Sequence, residues 1–600
     1  MSEPLLNRRD VQFQLYEVLN CADLPLRSRF SEHSKDTFDA AIDTAEQLAE
    51  DLFAPHNHLA DQQEPTFDGK KVSMLSDVKI ACDALAEAGF IAGRQDYDLG
   101  GMQLPESIMS ICMGYFTAAN PSTSGYPFLT SAAANLIRVF ASDGLKNQFL
   151  APMLAGRFSG TMALTEPHAG SSLADIRTSA TPTENGHYLV KGSKLFISGG
   201  EHELTDNIVH LVLAKIKGAP AGVKGISLFL VPKFTLNDNG EPATKNDVAL
   251  AGLIHKLGYR GTTSTALTFG ENNECVGYLI GEPHQGLRYM FQMMNEARIG
   301  VAMGAIMIAT RGYRYSLAYA QDREQGRHPS NTVPDSPAVN IIEHADVRRM
   351  LLAQKAYSEG GLALCLLGSS LLDDANTLEN KDDANKALTL LDLLTPIIKS
   401  WSSEFGTKSN DLAIQVLGGA GYTREYPVEQ FWRDNRLNPI HEGTNGIQAL
   451  DLLGRKVWQH NSQGLLLLSS RIHATIQHAN SEKSKHWGDA LNRALQLVQQ
   501  VTQQLGNDMT TLGADRTLSN ASCYLNILGK ITVAWLWLQQ TIAAEKGLST
   551  EQSPQESAFY AGKIHTAKYF FNWELPTIYQ DAKILTDQDD TCFSMQNEWF

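Results

Sequence analysis

The sequence predicts a mostly α-helical chain with a middle antiparallel β domain, and three observations predict it. Up to about residue 157, and again from 286, apolar side chains recur at three- and four-residue spacing among good helix formers. Between about 158 and 280 the pattern changes to short runs rich in β-branched and aromatic residues, separated by glycine turns. At 600 residues the chain is too long for one compact core, so three or four domains are expected.

In the first part, Phe38 to Phe53 and Val78 to Phe90 carry the helical period. DLGGMQLPE (98–106) and NPSTSGYP (120–127), dense in Gly, Pro, Ser and Asn, read as loops. YLVKGSKLFISGG, NIVHLVLAKI, GISLFLVPKF and STALTFG read as strands of the β domain. The stretch from Gly286 to Arg323 reads as one long helix, and further helical patterns at 340–374, 383–418 and 445–458 supply what a helix bundle needs. HWGDALNRALQLVQQVTQQLG and NILGKITVAWLWLQQTIAAE continue the helical pattern to the end. The division expected is an N-terminal helical domain with its extension (1–157), a middle β domain (158–280), a helix bundle (281–460) and an additional C-terminal helical domain (461–600).

Lys plus Arg total 50 against 66 Asp plus Glu, a formal charge of -16. That balance argues against a nucleic-acid partner, whose affinity comes from neutralising phosphates. It leaves room for an anionic small ligand, which a few arginines or backbone N–H groups hold. The seven cysteines are scattered without a CxxC pair, as in a reduced cytosolic protein. MSEPLLNRRD lacks the cationic start and apolar run of a signal peptide. No apolar stretch approaches the roughly 18 residues needed to span a bilayer; ITVAWLWL (531–538) is about the longest. A cytoplasmic location is expected.

Several chemistries lack their motif. No GxxxxGK[ST] loop is present, and GGAGYTRE (418–425) does not complete GxGxxG after a strand. HEGTN (441–445) has no second histidine for zinc, so no metal is expected, and no GxSxG elbow offers a serine nucleophile. Three Gly-rich polar segments remain: MALTEPHAGSS (162–172), QVLGGAGYTREYPVEQFWRD (415–434) and NPIHEGTNGIQALDLLGRK (438–456). Their hydroxyls and glycine-permitted N–H groups suit a phosphate or the edge of a heterocycle.

TEPHAGSS, then KLFISGG, then LGGAGY, then EGTNGIQ resembles the acyl-CoA dehydrogenase family in order, spacing and content, over about residues 80–458. The extensions at both ends look most like the branch of 3-methylmercaptopropionyl-CoA dehydrogenases. The resemblance implies an FAD enzyme that oxidises an acyl-CoA thioester to 2-enoyl-CoA, the substrate being a fatty acyl-CoA or 3-methylmercaptopropionyl-CoA. It implies Glu442 as the base for the α-proton, with its backbone N–H and a flavin ribityl hydroxyl holding the thioester carbonyl. A carboxylate in that role needs partial desolvation to raise its pKa. Some branches place the base immediately before the arginine matched by Arg298. Here that position is Ala297, and Glu296 lies about 100° around the helix.

For FAD the resemblance implicates Thr165 and Ser198 beside the ring system and Ser171 near the pyrophosphate. Phe196 stands in place of a common tryptophan. It further implicates Gln415, Gly418 and Gly419 at the adenosine half, often of a neighbouring subunit, with Thr444 as another contact and Arg323 reaching a neighbour's FAD phosphate. Asn295, Arg298 and Arg455 are implied on the substrate side. FAD is expected between the β domain and the bundle, a homodimer completes the site, and an electron-transferring flavoprotein is the expected acceptor. The alternatives are an acyl-CoA oxidase using oxygen, a non-catalytic DNA-binding flavoprotein on the same scaffold, and a structural helical protein without cofactor.

Overall fold

The computed structural model describes residues 4–333 and 335–600, apart from the side chains of residues 292–295. The chain divides into two units: Asp36–Ala297, and the residues up to Lys35 together with Arg298–Phe600.

The first unit opens with helices α1 (Lys35–Leu48), α2 (Ser76–Glu87), α3 (Glu106–Ala119) and α4 (Pro121–Phe140). The segment expected as a loop at 120–127 forms the first turns of α4. Asn120 caps that helix, accepting the Thr123 N–H at 3.0 Å, and Pro121 occupies the first helical position, where a missing N–H leaves no bond unmade. Its small polar residues Ser122, Thr123 and Ser124 are buried there.

Eight strands follow: β1 (Phe158–Ala163), β2 (Ser179–Pro182), β3 (Tyr188–Ser198), β4 (Asn207–Ile216), β5 (Ile226–Pro232), β6 (Val248–Leu253), β7 (Ser264–Phe269) and β8 (Val276–Ile280). They form one sheet in the order β6-β7-β3-β8-β5-β4-β1, with β2 pairing β3 and β4. Pairing is antiparallel as expected, except that β4 runs parallel to β1 and to β2. Alternate residues of β4 enter different cores. Val209, Leu211 and Leu213 join Ala133 and Ile137 of α4, whereas Val212 and Ala214 join Val190 and Phe269. Burial on both faces is why NIVHLVLAKI reads as a continuous apolar run rather than an alternation.

The second unit contains most of α5 (Gly286–Asp322), the single long helix expected, then α6 (Ala345–Thr377), α7 (Lys381–Leu417), α8 (Val428–Asn435) and α9 (Asn445–Gly454). Helices α10 (Gln463–Gln477), α11 (Glu482–Thr511), α12 (Ala521–Leu548), α13 (Pro554–Tyr569) and α14 (Ile578–Thr586) complete it. The N-terminal extension, expected with the helices to 157, packs here instead. Arg9 pairs with Glu556 at 2.8 Å, Gln14 bonds Gln540 at 2.8 Å, and Phe13 lies edge-on to Phe559. Lys563, fully buried, pairs with Asp10 and lies 2.7 Å from Glu359. The extension and the appended helices therefore stabilise one another. Contrary to the expectation that no apolar stretch is long enough, Ala514–Leu548 is by length and composition apolar enough to cross a membrane. Its most apolar window is 83% buried inside the protein, as in a core helix.

Candidate active site

The turn His441–Glu442–Gly443 leads into α9, whose N-cap is Thr444; its Oγ1 accepts the Ile447 N–H at 3.3 Å. Glu442 sits at φ +54° and Gly443 at φ +90°. That region is nearly free for glycine and strained for glutamate. Strain of this kind persists where the surroundings over-determine it, and here three buried side chains do. Gln448 Nε2 and Arg298 Nε donate to the Glu442 carbonyl at 3.1 and 3.4 Å, and Lys399 Nζ donates to the Gly443 carbonyl at 2.7 Å.

With its carbonyl fixed, the Glu442 side chain is half-buried. Burial pushes its carboxyl above the ordinary value, and Arg298 and then Lys399 pull it only part of the way back. Among the described residues the carboxylate receives no hydrogen bond, and the Glu442 N–H has no acceptor. The turn thus presents a basic oxygen and a free backbone donor side by side. Its neighbour His441 is unsuited to proton transfer, because burial and then Lys399 hold the imidazole at about 3.

Arg298 and Arg455 share Asp451, at 3.7 and 2.7 Å. Arg298 is 4% exposed and Arg455 is largely open. Glu296 is engaged elsewhere: its Oε2 accepts Asn135 Nδ2 at 2.8 Å, and burial, then Glu106, push its carboxyl up to about 7. The side chain of Asn295 lies outside the described residues. Gln415, Gly418 and Gly419 are exposed where α7 ends, Gly418 at φ +60°, and Arg323 is exposed just beyond α5.

On the β domain, Glu166 is fixed as an anchor. Its carboxylate accepts the Arg177 N–H (2.7 Å), the Thr178 N–H (3.0 Å), the Thr178 hydroxyl (2.6 Å) and Lys194 Nζ (2.9 Å). Burial alone would raise this carboxyl; Lys194 and then Thr178 outweigh it and hold it at about 2. The anchor orders TEPHAGSS against β3, where the Thr165 carbonyl accepts the Leu195 N–H at 2.9 Å. Immediately after Lys194 the ladder to β7 shifts register, setting Leu195 and Phe196 opposite Ala266. This bulge holds Phe196 at φ +61° and leaves its ring 60% exposed. Ser171 and Ser198 are exposed and Thr165 is half-buried. An uncovered aromatic plane with hydroxyls beside it fits a flat heterocycle bearing hydrogen-bonding edges.

Four residues that carry this geometry were not singled out from sequence. Lys194 falls on the inward side of the β3 alternation with Val190, and Lys399 sits inside the apolar run LLTPIIKSW; a charge at an inward position was the available signal. Glu166 and Gln448 gave none.

Four acyl-CoA dehydrogenase domain models match in chain order: the N-terminal domain at residues 35–157, the middle domain at 161–271, the C-terminal domain at 284–457, and an acetyl-CoA dehydrogenase C-terminal-like domain at 468–596. The chain belongs to the acyl-CoA dehydrogenase family. It is 34% identical over 589 residues to 3-methylmercaptopropionyl-CoA dehydrogenase of Ruegeria pomeroyi, covering 97% of this chain and 98% of that one. It is 32% identical over 615 residues to a broad-specificity linear acyl-CoA dehydrogenase of Mycobacterium tuberculosis, covering 100% of both. The solved acyl-CoA dehydrogenase of Bacillus anthracis complexed with FAD shares the fold, with a TM-score of 0.72 at 20% identity, covering 92% of this chain and 88% of that one. The chain is thus an oxidoreductase acting on a CH–CH group, with an added C-terminal helical domain.

Gly443→Ala tests the turn. A β-carbon there would lie 2.5 Å from Gln448 Nε2, at a φ that glycine alone takes without strain. We expect about 1–3 kcal/mol of lost stability, read as a lower melting temperature. Displacing Gln448 from the Glu442 carbonyl should lower turnover by more than the stability loss explains.

Proposed function

We propose that this chain converts an acyl-CoA to the 2-enoyl-CoA, with Glu442 taking the α-proton. The reading rests on one observation: a half-buried carboxylate with a raised pKa stands beside a free N–H on a turn whose carbonyls are already engaged. That N–H would hold the thioester oxygen and stabilise charge that develops as the α-proton leaves. The Cα–H bond breaks toward Glu442, a Cα–Cβ double bond forms, and the β-hydrogen departs with its electron pair. FAD supplies, when bound, the acceptance of that hydride. Phe196, Thr165, Ser198 and Ser171 would hold it on the β domain. Arg298 supports the base from behind, and Arg455, more open, is the better candidate for the CoA end.

The substrate is a fatty acyl-CoA or 3-methylmercaptopropionyl-CoA; the named relatives support both. An electron-transferring flavoprotein is the proposed acceptor, and the cytoplasm the proposed location. A homodimer is supported by the exposure of Gln415, Gly418, Gly419 and Arg323, with Tyr422, three residues after Gly419, 89% exposed.

The test is anaerobic flavin bleaching with saturated acyl-CoAs of three to eighteen carbons and 3-methylmercaptopropionyl-CoA. Bleaching by at least one member, with turnover on an electron-transferring flavoprotein, is expected. No bleaching by any of them would overturn the reading. Stoichiometric hydrogen peroxide with no flavoprotein turnover would replace it with an oxidase.

A further inference from the structure

Lys399 lies in the middle of α7 and is 0% exposed. Lysine is almost never fully buried without a partner, because desolvating an ammonium costs several kcal/mol. Its hydrogen-bond acceptors are uncharged: the Gly443 carbonyl at 2.7 Å and Asn445 Oδ1 at 3.4 Å, the latter also held by Ser403 Oγ at 3.2 Å. A neutral donor would satisfy both. The charge is therefore the feature that needs a reason, and the negative group facing it is Glu442.

We propose that Lys399 is a positioning residue for the reaction: its ammonium ties down the Gly443 carbonyl and, through its charge, keeps Glu442 ionised until substrate arrives. This rests on the reading of Glu442 as the base. Three observations converge on it. The bonded carbonyl belongs to the residue after the base, so the ammonium fixes the strained backbone rather than capping the carboxylate. The carboxylate is thereby left free for substrate. Moreover, the two groups shift each other: burial, opposed by Glu442, brings Lys399 down to about 7, and Lys399 in turn pulls against the burial that raises Glu442. Charged and titratable groups around the pair come from every side of the turn. They are Arg298 on α5, Asp392 on α7, Asp451 on α9, Arg455 just past its end, and His441 in the turn itself. Arg298 adds to the positive field at Glu442 but is already paired with Asp451, so Lys399 is the cation there without a carboxylate bonded to it among the described residues.

The experiment is single-turnover flavin reduction as a function of pH in the FAD-loaded enzyme. It compares wild type, Lys399→Gln, Lys399→Met and Glu442→Gln, with FAD content and melting temperature measured alongside. Removing a nearby cation raises a carboxylate's pKa. Both lysine variants should therefore keep FAD and move the acid limb of the profile to higher pH by about one unit, a roughly tenfold loss on that limb that alkaline pH restores. Lys399→Gln retains a donor for the Gly443 carbonyl and isolates the charge. Lys399→Met should also lower the plateau. If Lys399→Met folds poorly, the glutamine variant still reads the limb. An unshifted limb in Lys399→Gln, whatever its plateau, overturns the proposal and leaves Lys399 a packing residue. Retained turnover in Glu442→Gln defeats the base assignment instead, so the two failures are distinguishable.

Discussion

Glu442→Gln is expected to retain FAD and bind acyl-CoA, while flavin reduction falls by roughly 10²–10⁴-fold, the usual contribution of a positioned general base. The substitution keeps the side-chain volume. Every strong contact to the turn is made through backbone, from Gln448 and Arg298 to the Glu442 carbonyl and from Lys399 to that of Gly443. The geometry should therefore survive while only the base is lost. Rapid-mixing bleaching of the flavin by substrate measures the rate, and absorbance of the resting protein measures FAD. Substantial bleaching at the wild-type rate would sink the assignment. The pH dependence has a definite sign. Because the folded carboxyl lies above its ordinary 4.5, the active carboxylate accumulates as pH rises through the raised value. Wild-type rate should climb across that limb, and the glutamine variant should show no such climb. Linkage runs the other way for stability, since a raised carboxyl lowers folding stability as pH rises from 4.5 through its folded value.

Element type was legible in this sequence wherever burial is one-sided or the pattern long, and site chemistry wherever glycine-rich motifs stand together. The α5 helix and the β domain follow directly from periodicity. Periodicity fails where a local device overrides it. Asn120 and Pro121 turn a loop-like composition into a helix start, because capping and a preset φ act at single positions that a compositional window averages away. The packing of the N-terminal extension is illegible for another reason. Its partners Glu556, Gln540 and Lys563 lie more than 500 residues on, and a contact of that separation leaves no trace in a local pattern. Glu442 was readable from its motif, but its left-handed φ and its supports were not. Neither a backbone angle nor a carbonyl's donor is encoded in residue type.

Lys194→Met should be the most destabilising change on the β domain. It strands Glu166, 3% exposed, with three donors still on it and no compensating charge. Breaking one partner of a buried pair costs about 3–5 kcal/mol, whereas replacing both with neutral residues is often close to neutral. The double variant Lys194→Met with Glu166→Gln should therefore recover much of the loss in urea or thermal unfolding; full additivity would show that the ion pair is not the cause. The acid behaviour supplies an independent reading. Glu166 is held at about 2 from an ordinary 4.5, so its contribution is fully present above 4.5 and disappears as pH falls through 2. Lys194, which burial brings down to about 8, carries the opposing cost, outweighed at neutral pH by the four donors on the carboxylate. Without the ammonium that acid-dependent contribution shrinks, and the stability gap between Lys194→Met and wild type should narrow as pH falls. FAD retention should fall with the stability, because the same pair sets the register from which Phe196 and Ser198 emerge. A variant that loses stability yet keeps its flavin would separate the anchor from the cofactor site.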